Sequence, residues 1–278
     1  MASVRILCDS GCDVPDDIRT RLNIGLVSLT IRFGTDEYVD RVTLSPAQFW
    51  AKCKESPTLP ETAAPSPGAF RAAFDEAADD GADAVIVLTI SADLSGTYQS
   101  ALVAATEYSR IPVRVVDSRA VSMAQGLIAI ELAEQAATGV GLNDLVAHAA
   151  TMIPKVGVIA MLDTLEHLQK GGRVGGAKAL IGQVLSIKPL LKLENGVVTE
   201  AGRQRTTSRA LRHLADAAAS HAPLSRLAIF HGESTQLDAL TTLVATIDCA
   251  HPLVVADIGP TVGTHGGPGI IGLAWLEA

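Results

Sequence analysis

Hydrophobicity in this chain is parcelled into short aliphatic runs, and that parcelling limits the available folds most. No run approaches the ~18 apolar residues of a membrane span. The runs instead alternate with helix-start and helix-stop residues. In the first half, residues 4–8 read as a strand, followed by the loop 9–15 and a helix opened by Pro15 to about Leu22. Residues 24–33 read as a strand and 34–40 as a polar loop. Ser45-Pro46 and Ser66-Pro67 each place a capping hydroxyl before a proline at the first helical position. Gly81 ends the second of these helices. Residues 84–90 (AVIVLTI) read as a strand covered on both faces. A helix from about Thr97, a strand at 113–116 and a helix from about Val121 continue the alternation. That order predicts an α/β fold with an open, mainly parallel sheet and helices on both faces.

The second half has a different grammar. A strand at 156–162 and a helix ending at Gly171-Gly172 lead into residues 187–193, Asn195-Gly196 and residues 197–202. Asn-Gly between two such runs suits the type I′ turn of a hairpin. A helix at about 207–220, a strand at 227–230, a helix at 236–247 and strands near 253–258 and 270–276 complete the chain. A hairpin with helices predicts a second α+β lobe with a hairpin-containing mixed sheet. The division is expected near Ile153-Pro154, after a helix capped by Asn143, giving lobes 1–153 and 154–278.

Composition excludes several function classes. Thirty acidic against twenty-two basic residues give a net charge of -8, with no Lys/Arg block. Nucleic acid, which needs a basic footprint, is not an expected partner. Mean hydropathy is +0.29, yet the chain is expected not to span a membrane. Cys8, Cys12, Cys53 and Cys249 have no C-x-x-C spacing, and the first residues, from Met1 and Ala2, run straight into a strand without a signal-type apolar region. Reduced thiols and a cytoplasmic location are the expectation.

Four polar segments follow strands or open helices, where open α/β sheets bind ligands. The first is Asp9-Ser10-Gly11, which also suits an Asx-type turn. In Thr62-Ala63-Ala64-Pro65-Ser66-Pro67, prolines flank Ser66 and Thr62 is available to present its hydroxyl. In Ser95-Gly96-Thr97, two hydroxyls and a glycine N–H stand at a helix start, a ready site for a carboxylate or phosphate. The fourth, residues 259–269, holds five glycines and two prolines around His265, which is expected to be presented rather than buried. The segment around Arg173 has the glycine spacing of a phosphate loop, but Ala177 stands where that loop needs Lys, and Lys178-Ala179 supplies no Mg²⁺ hydroxyl. No G-x-G-x-x-G and no zinc spacing occur, so no cofactor or metal is expected, and the other histidines, His167 among them, read as ordinary polar residues. Ser95, Asp257 and His265 do occur in the chain order of α/β-hydrolases, so a serine esterase using Ser95 with His265 stands as the alternative.

Several segments in one order carry a family resemblance: Ile6-Leu7-Cys8-Asp9-Ser10, Thr62 with Pro65-Ser66-Pro67, and Leu94-Ser95-Gly96-Thr97-Tyr98. Val116-Asp117-Ser118, Gly171-Gly172-Arg173, Lys188-Pro189 and Gly263-Thr264-His265-Gly266 follow. Over essentially its whole length the chain resembles the DegV family of bacterial fatty-acid-binding proteins. The resemblance implies a two-lobed, non-enzymatic carrier that holds one long-chain fatty acid such as palmitate between its lobes. It further implies that the carboxylate rests on Thr62 and Ser95, and that the acid is presented to a separate ATP-dependent fatty acid kinase, which makes an acyl phosphate. Gly96, Thr97, Ser66, His265 and Arg173 complete the expected ligand-binding set, and Arg203 and Arg205 are candidates for partner docking. Ala63 and Ala64 depart from the Ser-Gln common in the family. A sixteen-carbon tail at ~0.8 kcal/mol per CH₂ gains on the order of 12 kcal/mol gross, so affinity is expected from the tail and orientation from the head-group loops.

Overall fold

The computed structural model describes residues 3–180 and 187–278; Met1 and Ala2 fall outside them, as do the side chains of Lys178, Ala179 and Leu180. The first half runs β1 (Val4–Asp9), α1 (Asp16–Arg21), β2 (Gly25–Val27), β3 (Thr30–Phe33), β4 (Asp36–Val39) and α2 (Pro46–Glu55). It continues with β5 (Glu61–Ala63), α3 (Pro67–Asp79), β6 (Ala84–Thr89), α4 (Thr97–Thr106), β7 (Val113–Asp117), α5 (Met123–Ala137) and α6 (Leu142–Met152). The second half holds β8 (Val156–Met161), α7 (Glu166–Lys170), β9 (Lys188–Glu194), β10 (Val197–Gln204) and α8 (Thr207–Ala219). β11 (Leu224–His231), α9 (Leu237–Val244), β12 (Val254–Asp257), α10 (Pro260–Gly266) and β13 (Ile271–Glu277) close it.

Among the described residues, three sheets result. One is four-stranded and wholly parallel, in the order β2-β1-β6-β7. The second is six-stranded, β10-β9-β8-β13-β11-β12, antiparallel except for the β11–β12 pair. A small antiparallel sheet, β4-β3-β5, sits beside them. The parallel sheet and the hairpin-bearing mixed sheet are the fold class expected from the strand order.

Side-chain alternation explains how the layers stack. On the four-stranded sheet, Leu7, Val85 and Val87 pack against Phe70 and Phe74 of α3 and Ala101 of α4. Their neighbours Ile6, Cys8, Ile86 and Leu88 point the other way, toward Met123 and Leu127 of α5. On the six-stranded sheet, Ile159, Leu190, Ile229 and Leu273 meet Leu211 and Leu214 of α8. Val158, Ala160, Leu191, Phe230 and Ala274 face the α5 layer. The order is therefore α3–α4, sheet, α5, sheet, α8–α9. Helix α5 is buried at ten of its fifteen residues because sheets cover it on both sides. Polar contacts tether it at both ends: Gln125 donates to Leu88 O at 3.0 Å, and Arg226 of β11, 6% exposed, donates to Glu131 Oε2 at 2.8 Å and to Glu134.

Several local expectations need correction. The strand at 24–33 is two strands in different sheets, because Leu29 N–H donates to Ser10 Oγ at 3.0 Å and its carbonyl accepts from Asp40, turning the chain between them. The polar loop at 34–40 contains β4, whose mostly exposed side chains hide the strand from a hydropathy reading. Gly141, not Asn143, is the N-cap of α6, and the helix expected from Val121 starts at Met123. The glycine-rich 259–269 is largely helical, with Pro260 at the first position of α10. The hairpin turn is as expected: Asn195 (φ 51°) and Gly196 (φ 83°) are both left-handed.

A buried polar cluster ties these layers together. Asp9 accepts from Gly11 N–H at 2.9 Å, from Ile90 N–H at 2.6 Å and from Gln125 of α5 at 3.3 Å. Asp13 accepts from Gly259 N–H at 2.8 Å, Ser122 Oγ at 2.7 Å and Arg41 at 3.2 Å. Asp40 accepts from the Thr261 N–H at 3.1 Å and from its hydroxyl, which also meets Ser10 Oγ at 3.2 Å. Burial pushes Asp9 and Asp13 up to about 6, against the pull of their donors and, for Asp13, of Arg41.

A carboxyl raised on folding binds its proton more readily in the folded state. Its contribution to stability is thus complete below about pH 4 and lost as pH rises through about 6. Asn tolerates the left-handed φ of 52° at position 13 and can accept from Gly259 while donating to Ser122. In urea unfolding, Asp13→Asn is expected to gain on the wild type by roughly 3 kcal/mol between about pH 4 and pH 7. A difference independent of pH would show that Asp13 is ionised without penalty.

Candidate functional site

Helix α5 packs on β8, β11 and β13 but does not fill the layer between the sheets. Ahead of its N-terminus, at Val121 and Ser122, the layer opens into a cavity of about 850 Å³, partly open to solvent. Val158, Ala160, Leu191, Leu193 and Phe230 of the six-stranded sheet form one wall, and Leu29, Ile90 and Leu94 face them. These are the same alternating side chains that would meet a helix had α5 been longer at this end. The cavity is thus overwhelmingly apolar, with its hydroxyls gathered in a few places and Arg173 and Lys192 as its cations.

One end carries Thr62, Ser95, Arg173 and His265, all lining the cavity. Thr62 is held in β5, opposite Ile31, so strand pairing and not the prolines fixes its position. Ser95 follows β6 in the turn before α4, where Thr97 N–H donates to Ser95 Oγ at 3.3 Å and the two hydroxyls lie 2.8 Å apart. Arg173 Nε donates to Leu94 O at 3.2 Å, joining the segment after α7 to the Ser95 turn. His265 comes from α10, its Nε2 3.0 Å from Thr62 Oγ1.

The proton of His265 can be placed by accounting. Its Nδ1 is buried without a partner. A Cβ on Gly171 would lie 2.3 Å from that nitrogen, so only glycine fits there. A buried N–H with no acceptor costs about 1–3 kcal/mol, so the proton belongs on Nε2. Nε2–H then donates to Thr62 Oγ1, leaving the Thr62 hydroxyl proton for an acceptor in the cavity. Burial, then the charge of Arg173 and then His167, push the ring down to about 4, so it is neutral at neutral pH. His265 is thus both presented to the cavity and largely enclosed, which corrects the expectation that it is presented rather than buried.

Other expected residues lie elsewhere. Ser66 is exposed and caps α3, accepting from Ala69 N–H at 3.2 Å; it does not line the cavity. Thr97 is buried and acts on Ser95, while Gly96 is the exposed N-cap of α4 beside it. Arg203 and Arg205 are exposed at the end of β10, outside the cavity lining. The triad order does not become a relay here: His265 faces Thr62, Ser95 bonds Thr97, and Asp257 lies 3.5 Å from His231. Sequence reasoning passed over His167, buried with Nδ1 3.1 Å from Thr264 O, and Ser122 and Thr261, which line the cavity and anchor the carboxylate cluster. Only Thr261 had a signal, its place in the glycine-rich segment. Among the described residues no His, Cys, Asp and Glu group is arranged to hold a metal, and no helix is long and apolar enough to cross a membrane.

The electrostatics of His265 can be read by imidazole NMR. The ring is expected to stay neutral, protonated on Nε2, until the pH approaches about 4. Arg173→Gln removes a cation beside it and should move the midpoint up, toward the ordinary value near 6.5. A wild-type midpoint already near about 6.5 would contradict this arrangement.

The model of the DegV family of uncharacterised proteins matches residues 3–278. A DegV domain-containing protein of Streptomyces coelicolor is 34% identical over 277 residues, covering 97% of each chain. A DegV family protein of Thermus thermophilus, described by its fatty acid binding, superposes with a TM-score of 0.90 at 31% identity over 99% of this chain and all of its own. DegV of Bacillus subtilis, described as a fatty acid binding protein, superposes with a TM-score of 0.89 at 29% identity, each chain covered fully. With the fold, the motif order and the full-length match in agreement, this chain belongs to the DegV family.

Proposed function

We propose that this protein binds one long-chain fatty acid between its lobes, 1–153 and 154–278, and presents the carboxylate to a separate fatty acid kinase. The observation that carries the reading is an apolar cavity ending in the Thr62, Ser95 and His265 cluster. A long aliphatic tail matches the wall, and a carboxylate matches the donors. The Thr62 hydroxyl, free to donate once His265 supplies its own N–H, takes one carboxylate oxygen. Ser95, whose hydroxyl Thr97 orients, takes the other with the Gly96 N–H at the start of α4. The fatty acid binding ascribed to the Thermus thermophilus and Bacillus subtilis proteins supports the same class of ligand. The fatty acid is the ligand, palmitate being one of suitable length, and the site calls for no cofactor or metal.

Phosphoryl transfer to the bound carboxylate needs cationic stabilisation of the developing charge. Arg173 is the cation at the head-group end and His265 the donor, so these two serve the transfer while nucleotide comes with the kinase. Arg203 and Arg205 are the proposed docking residues for that partner.

Denaturing extraction and mass spectrometry of purified protein should find a fatty acid, and protein that neither carries nor takes up labelled palmitate or oleate would refute the reading. Charged-group hydrogen bonds contribute roughly 1.5–3 kcal/mol each, so Thr62→Ala or Ser95→Ala should weaken binding about tenfold to a hundredfold without unfolding. Unchanged affinity in both would place the head group elsewhere. Arg173→Ala and His265→Ala are expected to retain the lipid and lose much of the acyl phosphate made with a cognate kinase. Full yield from such loaded variants would leave both residues a structural role.

A further inference from the structure

Strands β8 and β9 pair only between residues Ile159, Ala160 and Met161 and their partners Lys192, Leu191 and Leu190. Yet β8 begins at Val156 and β9 runs on to Glu194. Residues 156–158 and 193–194 therefore face each other across an open ladder. The tip of the β9–β10 hairpin is nonetheless held: Arg119 donates to the Asn195 carbonyl, and Ser91 Oγ donates to the Gly196 carbonyl at 2.7 Å. Secured at base and tip, the hairpin frames a window in the six-stranded sheet.

A second void, about 1320 Å³ including its open mouth, occupies this window. Ala124, Ile153 and Val156 line it on the α5 side of the sheet; Ile159, Ala217 and Trp275 line it on the α8 side. The void thus passes through the sheet. Val158, Lys192 and Leu193 line both this void and the main cavity, so the two are contiguous. Leu162, which leads toward α7 and the polar end, lies four residues along the chain from Val158, about 13 Å away in extended backbone.

We propose that this window is a second, tail-end opening of the site. The last methylenes of a long acyl chain pass between β8 and β9 and lie against Val156 and Trp275. The inference rests on the function proposed above and names the ligand class within it, long acyl chains whose methyl end leaves the main cavity. A methyl end suits the apolar part of this partly open slot because it needs no hydrogen-bond partner. The donors at its rim, Arg119, Lys192 and His221, already meet Asp93, Glu194 and Glu277, so a carboxylate would find little there to hold it. A cavity closed at this end would impose a sharp upper limit on chain length; an open one lets affinity keep rising.

The test is the chain-length profile of saturated acids by equilibrium binding. In the wild type, Kd is expected to keep falling by about fourfold per added methylene from tetradecanoate to icosanoate. Val156 lines only the second void, so Val156→Trp should plug the window: tetradecanoate stays within about twofold, and icosanoate weakens by about tenfold or more. A second readout does not depend on that variant folding. Trp50 and Trp275 are the only tryptophans, so in Trp50→Phe the remaining fluorescence reports Trp275. Hexadecanoic acid brominated at its terminal carbon should quench it, and the 2-bromo acid should not. Equal quenching by the two acids, or a length profile that Val156→Trp leaves unchanged, would overturn the window alone. Failure of the wild type to bind any of these acids would overturn the underlying reading and the window with it.

Discussion

Two sheets share one helix, and the rest of the molecule follows from that sharing. Each sheet has an outer helical layer of its own, α3–α4 on one side and α8–α9 on the other. Between the inner faces α5 is the helix that both sheets bury, with α6 beside it on the four-stranded sheet, which is why α5 is apolar nearly all round instead of along one stripe. Small residues such as Ala124 and Ala129 let the sheets approach it closely, and Gly126 admits the turn after β1, where a Cβ would lie 2.7 Å from Cys12 O. One helix cannot cover both inner faces completely. The area it leaves bare, from Val158 and Leu191 to Leu193 and Phe230, becomes a cavity wall without any change in the residue types a core would use. The proposed site for an aliphatic ligand is in this sense an unfilled piece of core.

The polar end of that cavity depends on charges held out of water. Asp9, Asp13 and Asp40 lie under the segments that supply Ser122 and Thr261, and each carboxyl accepts several donors because an unpaired one would cost far more. The cluster binds the turn after β1, the turn before α2, the start of α10 and the start of α5 into one unit. His265 inherits its position from α10 and its neutrality from burial beside Arg173. In the proposed site, a neutral ring donates to Thr62 without competing with Arg173 for the negative charge of the ligand, so orienting donor and cation fall on different residues.

Much of the fold was legible. The doubly covered strand β6, the Ser45-Pro46 and Ser66-Pro67 helix starts and the Asn195-Gly196 hairpin all correspond to observed elements, since each signal is local. The misses share a cause. Strand β4 has exposed side chains, and 24–33 breaks because Ser10 and Asp40 capture the backbone of Leu29 from distant positions. Gly-rich 259–269 reads as a loop by composition but is helical because α10 is wedged against α2 and α7. In the site, Thr62, Ser95, Arg173 and His265 were recognisable by residue type and setting. Ser66 was included for the same reasons, although its hydroxyl is committed to a helix cap.

The sequence by itself determined the element types, the two sheet grammars and the presence of hydroxyls, a cation and an imidazole in strand-end segments. Those properties are written in neighbours one to four residues apart, where hydropathy period and capping chemistry act. Which of the segments meet was decided only by tertiary structure. Thr62 and His265 are 203 positions apart in the chain, yet their side chains touch, and Ser10 reaches Thr261 across 251. Such pairings depend on how two sheets pack on one helix, and no local pattern records the space that the packing leaves empty.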